Sequence, residues 1–532
     1  MRRQQKKMAI EFVQILCQAF EESKKAMENG QKELALDLIR NSQQNAIEFG
    51  NVIEKCEGEE FVTVRFLEEY CECLYQLYIS LLGEESVPSL ERTWNELGKA
   101  LAAVQNSVDQ DIPERLEAVF LPYKEAMWDS METIWRAADA DPDCDAYVIP
   151  IPYFDRNPDG SIREWHYEKE NYPADIPTLR YTEYNMERQK PDVVFVHFPY
   201  DRNNYVTGIL PDHYCKTLQS QTDLLVYVPY FVNLDDVPWH FCVCPGTLYA
   251  DMVAVQSERV RETYVRESKK FEQENQCQGQ FGDLEKKFLA LGSPKIDKAM
   301  QLASEHFSVP EEWKKHLLMK DGSRKKIVLV NTTLKYLLER KEDYIEHLWE
   351  IFSVFQRYGA IALWWRPHPL AESSLAAMDE ALCQKYLMLV SSFKKNNLGI
   401  YDDSGELHRA IGMCDACYGD NSSVLALLMA AKKPVMLRNM TRSFPAGDTG
   451  TGKFMNAVKA EKGGMKKMIL FENREYALEH FLYDLLHEGQ WEKIIDFMES
   501  VFSEYAHETC SNLGRAGESI YQEAKKRCQE EN

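Results

Sequence analysis

The run IALWWRPHP (361–369) ends by placing Arg366 and His368 among prolines that stiffen the turn, and DACYGDNSSVLALLMAAKKP (415–434) carries Asp420, Asn421, Ser422 and Ser423 in one polar turn. The second stretch reads as strand, loop and helix: a short apolar run, two serines, then alanine and leucine. A helix start offers free backbone N–H groups and the positive end of the helix dipole, and small hydroxyls beside it add donors. That combination is a phosphate site. A guanidinium, an imidazole and an anion-binding helix start on consecutive α/β units suggest chemistry on a nucleotide diphosphate. The serines could equally cap the helix, since capping uses the same geometry.

Other polar residues fall at the ends of apolar runs. Thr332 and Thr333 follow Ile327–Val330, and Asp402, Asp403, Ser404 and Glu406 precede a helical stretch where carboxylates could accept from a ribose. In the amino-terminal half three strand-end loops stand out: Pro122-Tyr123-Lys124 leading into Ala126–Ser130, His197–Asp201, and Tyr227–Phe231. They are richer in Tyr, Lys, Asp and His than scaffold loops usually are. Lys124, Tyr200 and Tyr230 are the candidates for holding an acceptor, although each loop also reads as a packed proline–aromatic turn.

The elements that must position these residues alternate. From about residue 114, strands are predicted at Ala118–Pro122, Ala146–Ile151, Asp192–Phe198, Leu224–Val228, Met252–Val255 and Phe288–Leu291, separated by helices. A second alternation predicts strands at Ile327–Val330, Ile361–Trp365, Leu387–Val390, Ala416–Tyr418, Val435–Leu437 and Met468–Leu470. Two parallel, doubly wound sheets follow, each binding ligands at its strand carboxyl ends. Residues 1–110 are helical throughout, with apolar spacing in Ile10–Phe20, Leu34–Ile47, Val62–Leu82 and Leu90–Val108, which predicts a four-helix bundle broken at Gly30, Gly50, Gly58 and Gly83. The expected organisation is a bundle (1–110), a first Rossmann-like domain (111–300), a second (301–490), and closing helices (491–532) that pack back across the domains. Phe271–Gly282 reads as an exposed excursion and His306–Ser323 as the interdomain connection.

Composition narrows the classes. With 532 residues, 45% of them hydrophobic, several cores can be buried, and a formal net charge of −23 argues against nucleic-acid binding. No apolar run is long enough to span a membrane. The fourteen cysteines lack a disulfide pattern, so reduced thiols in a cytoplasmic protein are expected, and Cys414-x-x-Cys417 reads as core packing rather than a metal site. The basic first helix allows peripheral contact with the inner face of a membrane or with a partner, and a homo-oligomer is also an expectation.

The order Arg-Pro-His-Pro, acidic turn and helix, Asp420-Asn421-Ser422-Ser423, then KKPVML resembles the carboxy-terminal half of the CDP-glycerol glycerophosphotransferases. These are GT-B enzymes of teichoic acid synthesis. LGSPKID (291–297) and VLVNTT (328–333) resemble the segments that open their second domain, so the matched motifs run from about 288 to 437. The resemblance implies a GT-B pair of Rossmann-type domains and transfer from a nucleotide-activated donor, CDP-glycerol or a nucleotide sugar, to a polymer or lipid-linked acceptor, with no metal or other cofactor required. It implies that His368 lies near the donor phosphates, with Arg366, Asp420, Asn421, Ser422, Ser423, Thr332, Thr333, Asp403 and Glu406 on the donor side. The family's Trp-His-Gly motif is missing: no His is followed by Gly, and the corresponding strand ends in Pro229-Tyr230-Phe231. Asp201 or His197 is then the expected general base. The alternatives are a nucleotide-sugar glycosyltransferase and a catalytically silent nucleotide- or polymer-binding module.

Overall fold

The computed structural model describes residues 1–83, 90–157, 159–233, 237–438 and 469–530. The chain falls into two units, Met1–Ala118 with Asp139–Ala146, and Val119–Ala138 with Tyr147–Asn532.

The first unit holds the expected helices, α1 (Arg3–Glu28), α2 (Lys32–Glu57), α3 (Val62–Leu82) and α4 (Leu90–Gln110). Each buries a stripe of residues three or four apart, such as Leu67, Tyr70, Leu74, Leu77 and Leu81 on α3. Gly50 does not break a helix; it lies inside α2, and the breaks fall at Gly30, Gly58 and Gly83. The unit also runs past residue 110: the amino terminus bonds to Pro113 O, and Arg2 pairs with the buried Glu117.

Fifteen strands among the described residues are, in chain order, β1 (Leu116–Leu121), β2 (Cys144–Val148), β3 (Tyr153–Arg156), β4 (Ile162–His166), β5 (Val193–Val196), β6 (Thr207–Ile209), β7 (Leu224–Tyr227), β8 (Met252–Val255), β9 (Phe288–Ala290), β10 (Lys326–Asn331), β11 (Ile361–Arg366), β12 (Ile400–Tyr401), β13 (Ala416–Gly419), β14 (Val435–Leu437) and β15 (Ile469–Phe471). The first sheet has the order β2-β1-β5-β7-β8-β9, and the second β12-β11-β10-β13-β14-β15. All paired neighbours in the second sheet are parallel, as are β5, β7, β8 and β9 in the first. The expected α/β pair of Rossmann-type sheets with an amino-terminal helical bundle is therefore the observed architecture. A small antiparallel sheet, β4-β3-β6, is an addition that the sequence reading did not anticipate.

Strand order locates the ligand edges. In the second sheet the order reverses between β10 and β13; in the first it reverses between β1 and β5. Ligands bind outside the carboxyl ends at such switch points. The interior strand β11 shows why its sequence is apolar on both faces: the adjacent Trp364 and Trp365 point to opposite sides and are both fully buried. Trp364 meets Trp313 edge-on, and Trp365 packs against Phe352, Phe393 and Tyr401.

One local expectation is corrected and two are refined. Leu387–Val390 is not a strand but part of the helix Glu380–Lys395, whose buried residues Leu382, Cys383, Tyr386, Leu389, Val390 and Phe393 follow helical spacing while Met388 is exposed. The predicted excursion at Phe271–Gly282 is exposed over most of its length, but it begins inside the helix Glu258–Glu274, and Phe281 packs against Phe271 and Tyr249. The connection His306–Ser323 contains the helix Glu311–Leu317, which supplies Trp313 to the second core. Residue 468 of the predicted Met468–Leu470 strand lies outside the described residues.

The final helix, Ala516–Glu530, returns to the first Rossmann-type domain. Gly517 N–H donates to Asp297 Oδ2 (2.9 Å) and Arg527 Nη2 to Lys286 O (2.7 Å). A Cβ at Gly517 would lie 2.3 Å from Thr133 Oγ1, so only glycine permits the approach. Burial pushes the Asp297 carboxyl up to about 6, against the partial relief of backbone N–H bonds. A folded pKa above the unfolded value of about 3.9 means this group favours folding below about pH 4 and loses that contribution as the pH rises through 6. Asp297→Asn is expected to raise the melting temperature relative to wild type at pH 7.5, by an amount equivalent to roughly 1–3 kcal/mol. The advantage should shrink as the pH falls through 6. A calorimetric difference that is the same at pH 4.5 and 7.5 would refute this account.

Candidate functional site

The second switch point is built around one carboxylate. Asn331 ends β10 in register with Gly419 at the end of β13 and with Arg366 at the end of β11. The strands close so tightly that a Cβ at Gly419 would lie 2.5 Å from Asn331 O. Asp420, fully buried, follows. Its Oδ2 accepts from Thr333 N–H (2.8 Å), Thr333 Oγ1 (3.2 Å) and Tyr344 Oη (2.5 Å), and its Oδ1 accepts from Arg438 Nη2 (2.5 Å). The Arg438 guanidinium lies 4.5 Å from the centre of the Tyr344 ring. Burial, with the Asp420 charge, pushes the Tyr344 phenol far up, so it stays a donor. Asp420 thus fixes the loop rather than meeting a ligand.

The residues beyond it are left available. Asn421 and Ser423 are exposed, and Ser423 opens the helix Ser423–Ala430. Ser422 occupies the cap position, yet its side chain accepts no bond from the helix; its Oγ accepts from Asn331 Nδ2 (3.0 Å). The capping alternative is therefore not how this serine is used. Thr332 is buried and accepts from the Trp365 indole (3.1 Å), and Thr333 is committed to Asp420.

Arg366 is a correction. It is buried, with Nη1 on Asp402 Oδ2 (2.7 Å) and Nη2 on Ser404 O (2.6 Å), while the Trp364 indole also donates to Asp402 (3.0 Å). Its charge is spent holding the 402–404 loop, which leaves Asp403 and Glu406 exposed at the same edge. His368 is half-buried. Its Nδ1 accepts from Leu370 N–H (3.1 Å), which puts the proton on Nε2, and burial lowers its pKa. It is a neutral N–H donor.

At the first switch point the two expected bases are both corrected. His197 is buried between Tyr123 N–H on Nε2 (3.1 Å) and Ser130 Oγ at Nδ1 (2.9 Å). Burial, then the charge of Lys295, pushes its pKa down to about 3, so it is neutral and both nitrogens are occupied. Asp201, at φ 47°, accepts from Cys215 N–H (2.8 Å) and Lys216 N–H (3.4 Å), capping the helix Cys215–Leu218 from a distance. Burial raises its pKa. Both are scaffold residues. The Tyr200 and Tyr230 hydroxyls pair at 3.2 Å, and the Lys124 ammonium lies 4.8 Å from the Tyr153 ring centre. Tyr153 donates to Glu168, whose other oxygen accepts from Glu125 N–H (2.8 Å).

Sequence reasoning missed the contact that joins the two walls. Asp129, on the 3-10 turn Glu125–Ser130 after β1, meets Lys295 Nζ at 2.6 Å and His408 Nε2 at 3.0 Å. Lys295 begins the helix Pro294–Gln301, and His408 lies on the helix Leu407–Met413 beyond the Arg366-held loop. Burial alone would raise the Asp129 pKa; the Lys295 ammonium, with the hydrogen bond from His408, outweighs it and holds it at about 2. Glu125 lies close enough to feel Glu406 and His408, and burial followed by Glu406 and Glu168 raises its pKa. The available signal was an aspartate inside an apolar strand-end loop and a lysine inside LGSPKID; His408 carries none. Asp155, Glu164 and His166 place ligand atoms within 4.8 Å of one another, but Asp155 is also paired with Arg163 (2.7 Å), so the group stands as an ion-pair cluster.

No protein-family model matches this chain, and no curated protein sequence matches it. Among solved structures, it is similar to UDP-GlcNAc 2-epimerase from Methanocaldococcus jannaschii (12% identity, 77% of this chain and 100% of that one, TM-score 0.43). It is also similar to the wall teichoic acid polymerase TagF (13% identity, 88% and 98%, TM-score 0.42) and to a glycosyltransferase from Rickettsia africae (11% identity, 77% and 99%, TM-score 0.40).

Because Arg366 closes a buried pair, Arg366→Ala should leave Asp402 uncompensated and cost about 3 kcal/mol of stability. Chemical denaturation should show that loss. A variant of wild-type stability with weakened nucleotide binding would restore Arg366 as a ligand.

Proposed function

We propose that the chain is a GT-B-type transferase that takes its donor as a nucleotide diphosphate on the second sheet and its acceptor on the first. The observation that supports this reading best is the β13 loop. Asp420 is immobilised by four donor contacts while the Ser422 hydroxyl and Ser423 remain uncommitted to capping at the start of the helix Ser423–Ala430. Donor phosphates there would receive backbone N–H groups, the helix dipole and hydroxyls. His368, a neutral Nε2–H donor, would stabilise the charge that builds on the departing phosphate. Asp403 and Glu406, exposed at the adjoining loop, suit the ribose hydroxyls. Lys124 and the Tyr200–Tyr230 pair would hold the acceptor on the first wall.

CDP-glycerol is the donor that the motif resemblance favours, with a cell-surface polymer or its lipid-linked precursor as acceptor. Attack on phosphorus would release CMP; attack on the anomeric carbon of a nucleotide sugar would release a nucleoside diphosphate. The released nucleotide therefore identifies the donor. A second reading, a non-catalytic nucleotide-binding module, is favoured by the fact that His197 and Asp201 are both scaffold residues.

Screening CDP, UDP, GDP and ADP derivatives by thermal shift should find one that stabilises the chain, by about 2.7 kcal/mol at 100-fold above its dissociation constant. With that donor, His368→Ala should lower turnover about 10²-fold or more and hardly change the melting temperature. Failure of every nucleotide to stabilise the chain would overturn the proposal; binding without turnover would favour the module.

A further inference from the structure

The pair Asp129–His408 has the geometry of a carboxylate-oriented base. Nε2 of His408 faces a buried carboxylate oxygen at 3.0 Å, and an ionised carboxylate can only accept, so Nε2 carries a proton; in the neutral imidazole the lone pair is then on Nδ1. Among the described residues Nδ1 has no hydrogen-bond partner, and the side chain is 31% exposed. The other oxygen of Asp129 is held by Lys295 at 2.6 Å, which fixes the carboxylate in place. The remaining imidazoles at the two switch points cannot act as bases in the same way. His197 has both nitrogens occupied, and His368 has its Nδ1 lone pair engaged by Leu370 N–H.

We propose that His408 is the general base of the transfer and that Asp129 is its positioning residue. The inference rests on the transferase reading. His408 Nδ1 takes the proton of the acceptor hydroxyl while the acceptor oxygen bonds to the electrophilic carbon or phosphorus of the donor. The bond from that atom to the leaving phosphate oxygen breaks, and the electron pair stays with the nucleotide. The imidazolium that forms is stabilised by Asp129 and returns its proton to solvent after release. The two halves of the dyad are 279 residues apart and lie on opposite walls, Asp129 after β1 and His408 after β12. The base is therefore complete only when the two Rossmann-type domains are docked, so acceptor activation is coupled to domain closure. Asp129, Lys295, Glu125 and Glu406 are the charges that surround it.

The test uses the full chain with the donor identified by thermal shift. His408→Ala should lower kcat about 10²–10⁴-fold, keep the donor-induced shift in melting temperature, and recover part of the rate when imidazole is added to solution. Asp129→Asn should lower kcat at least tenfold while the donor KM stays within a few-fold. His408 is partly exposed, so its alanine variant remains informative even if Asp129→Asn folds poorly. A His408→Ala enzyme within threefold of the wild-type rate would overturn the dyad and leave the transferase reading standing. So would a loss of rate that imidazole does not restore, with the donor shift lost as well, since that is what a purely structural ion pair predicts. A wild-type chain that transfers to no hydroxyl, water included, would overturn both.

Discussion

The architecture at the second switch point depends on the burial of one negative charge. A carboxylate at 0% exposure is tolerable only when its lone pairs are filled, and Asp420 fills them from three separate segments: Thr333 after β10, Tyr344 in the following helix, and Arg438 after β14. The carboxyl ends of neighbouring strands are thereby tied to one point at the place where the strand order reverses. Removing Arg438 would leave the charge without a counter-ion in a dry setting, and removing Thr333 or Tyr344 would leave a lone pair unfilled, so the loop has little freedom to relax. The proposed phosphate binding at this edge would need such rigidity, because hydrogen-bond donors that must be reorganised on binding lose much of their electrostatic benefit.

A second buried pair extends the arrangement. Arg366 and Asp402 tie β11 to the loop that leads into the helix Leu407–Met413, so the position of His408 is inherited from a salt bridge at the foot of the sheet. Asp129 is inherited from the turn after β1, and Lys295 from the helix that follows β9, whose Ile296 and Ala299 pack in the core of the second sheet. Most of the charged residues described at the two switch points are therefore structural members, whose positions set where a few groups without a hydrogen-bond partner among the described residues stand: Ser423 Oγ, His368 Nε2 and His408 Nδ1.

What the sequence disclosed follows from range. The sheets, the bundle and the strand-end loops were legible because apolar periodicity and turn chemistry are local signals; β8 and β14 fall where the alternation put them. The run Leu387–Val390 misled because four adjacent apolar residues look alike in a strand and in a helix, and only the wider spacing from Leu382 to Phe393 separates the two. Residue roles were legible only in part. Asp420, Ser422 and Ser423 stood out as a loop at a helix start, but whether each is spent on the scaffold depends on partners far away in the chain. Thr333 and Asp420 are 87 positions apart, and Arg366 and Asp402 are 36 apart. His197 and Asp201 looked reactive for the same reason: nothing nearby in sequence announces Ser130 or the helix at Cys215 that consume them.

The return of the last helix has a consequence for how the molecule is made. Asp297 receives its bond from Gly517, 220 residues later, and Asp192 O accepts from the Cys528 thiol, 336 residues later. During synthesis from the amino terminus, the first Rossmann-type domain emerges with a buried carboxylate and part of its apolar floor still uncovered, and it stays so while the entire second domain is produced. The nascent chain thus spends its longest interval with an incomplete hydrophobic surface facing water, a period in which a ribosome-associated chaperone would have its greatest effect.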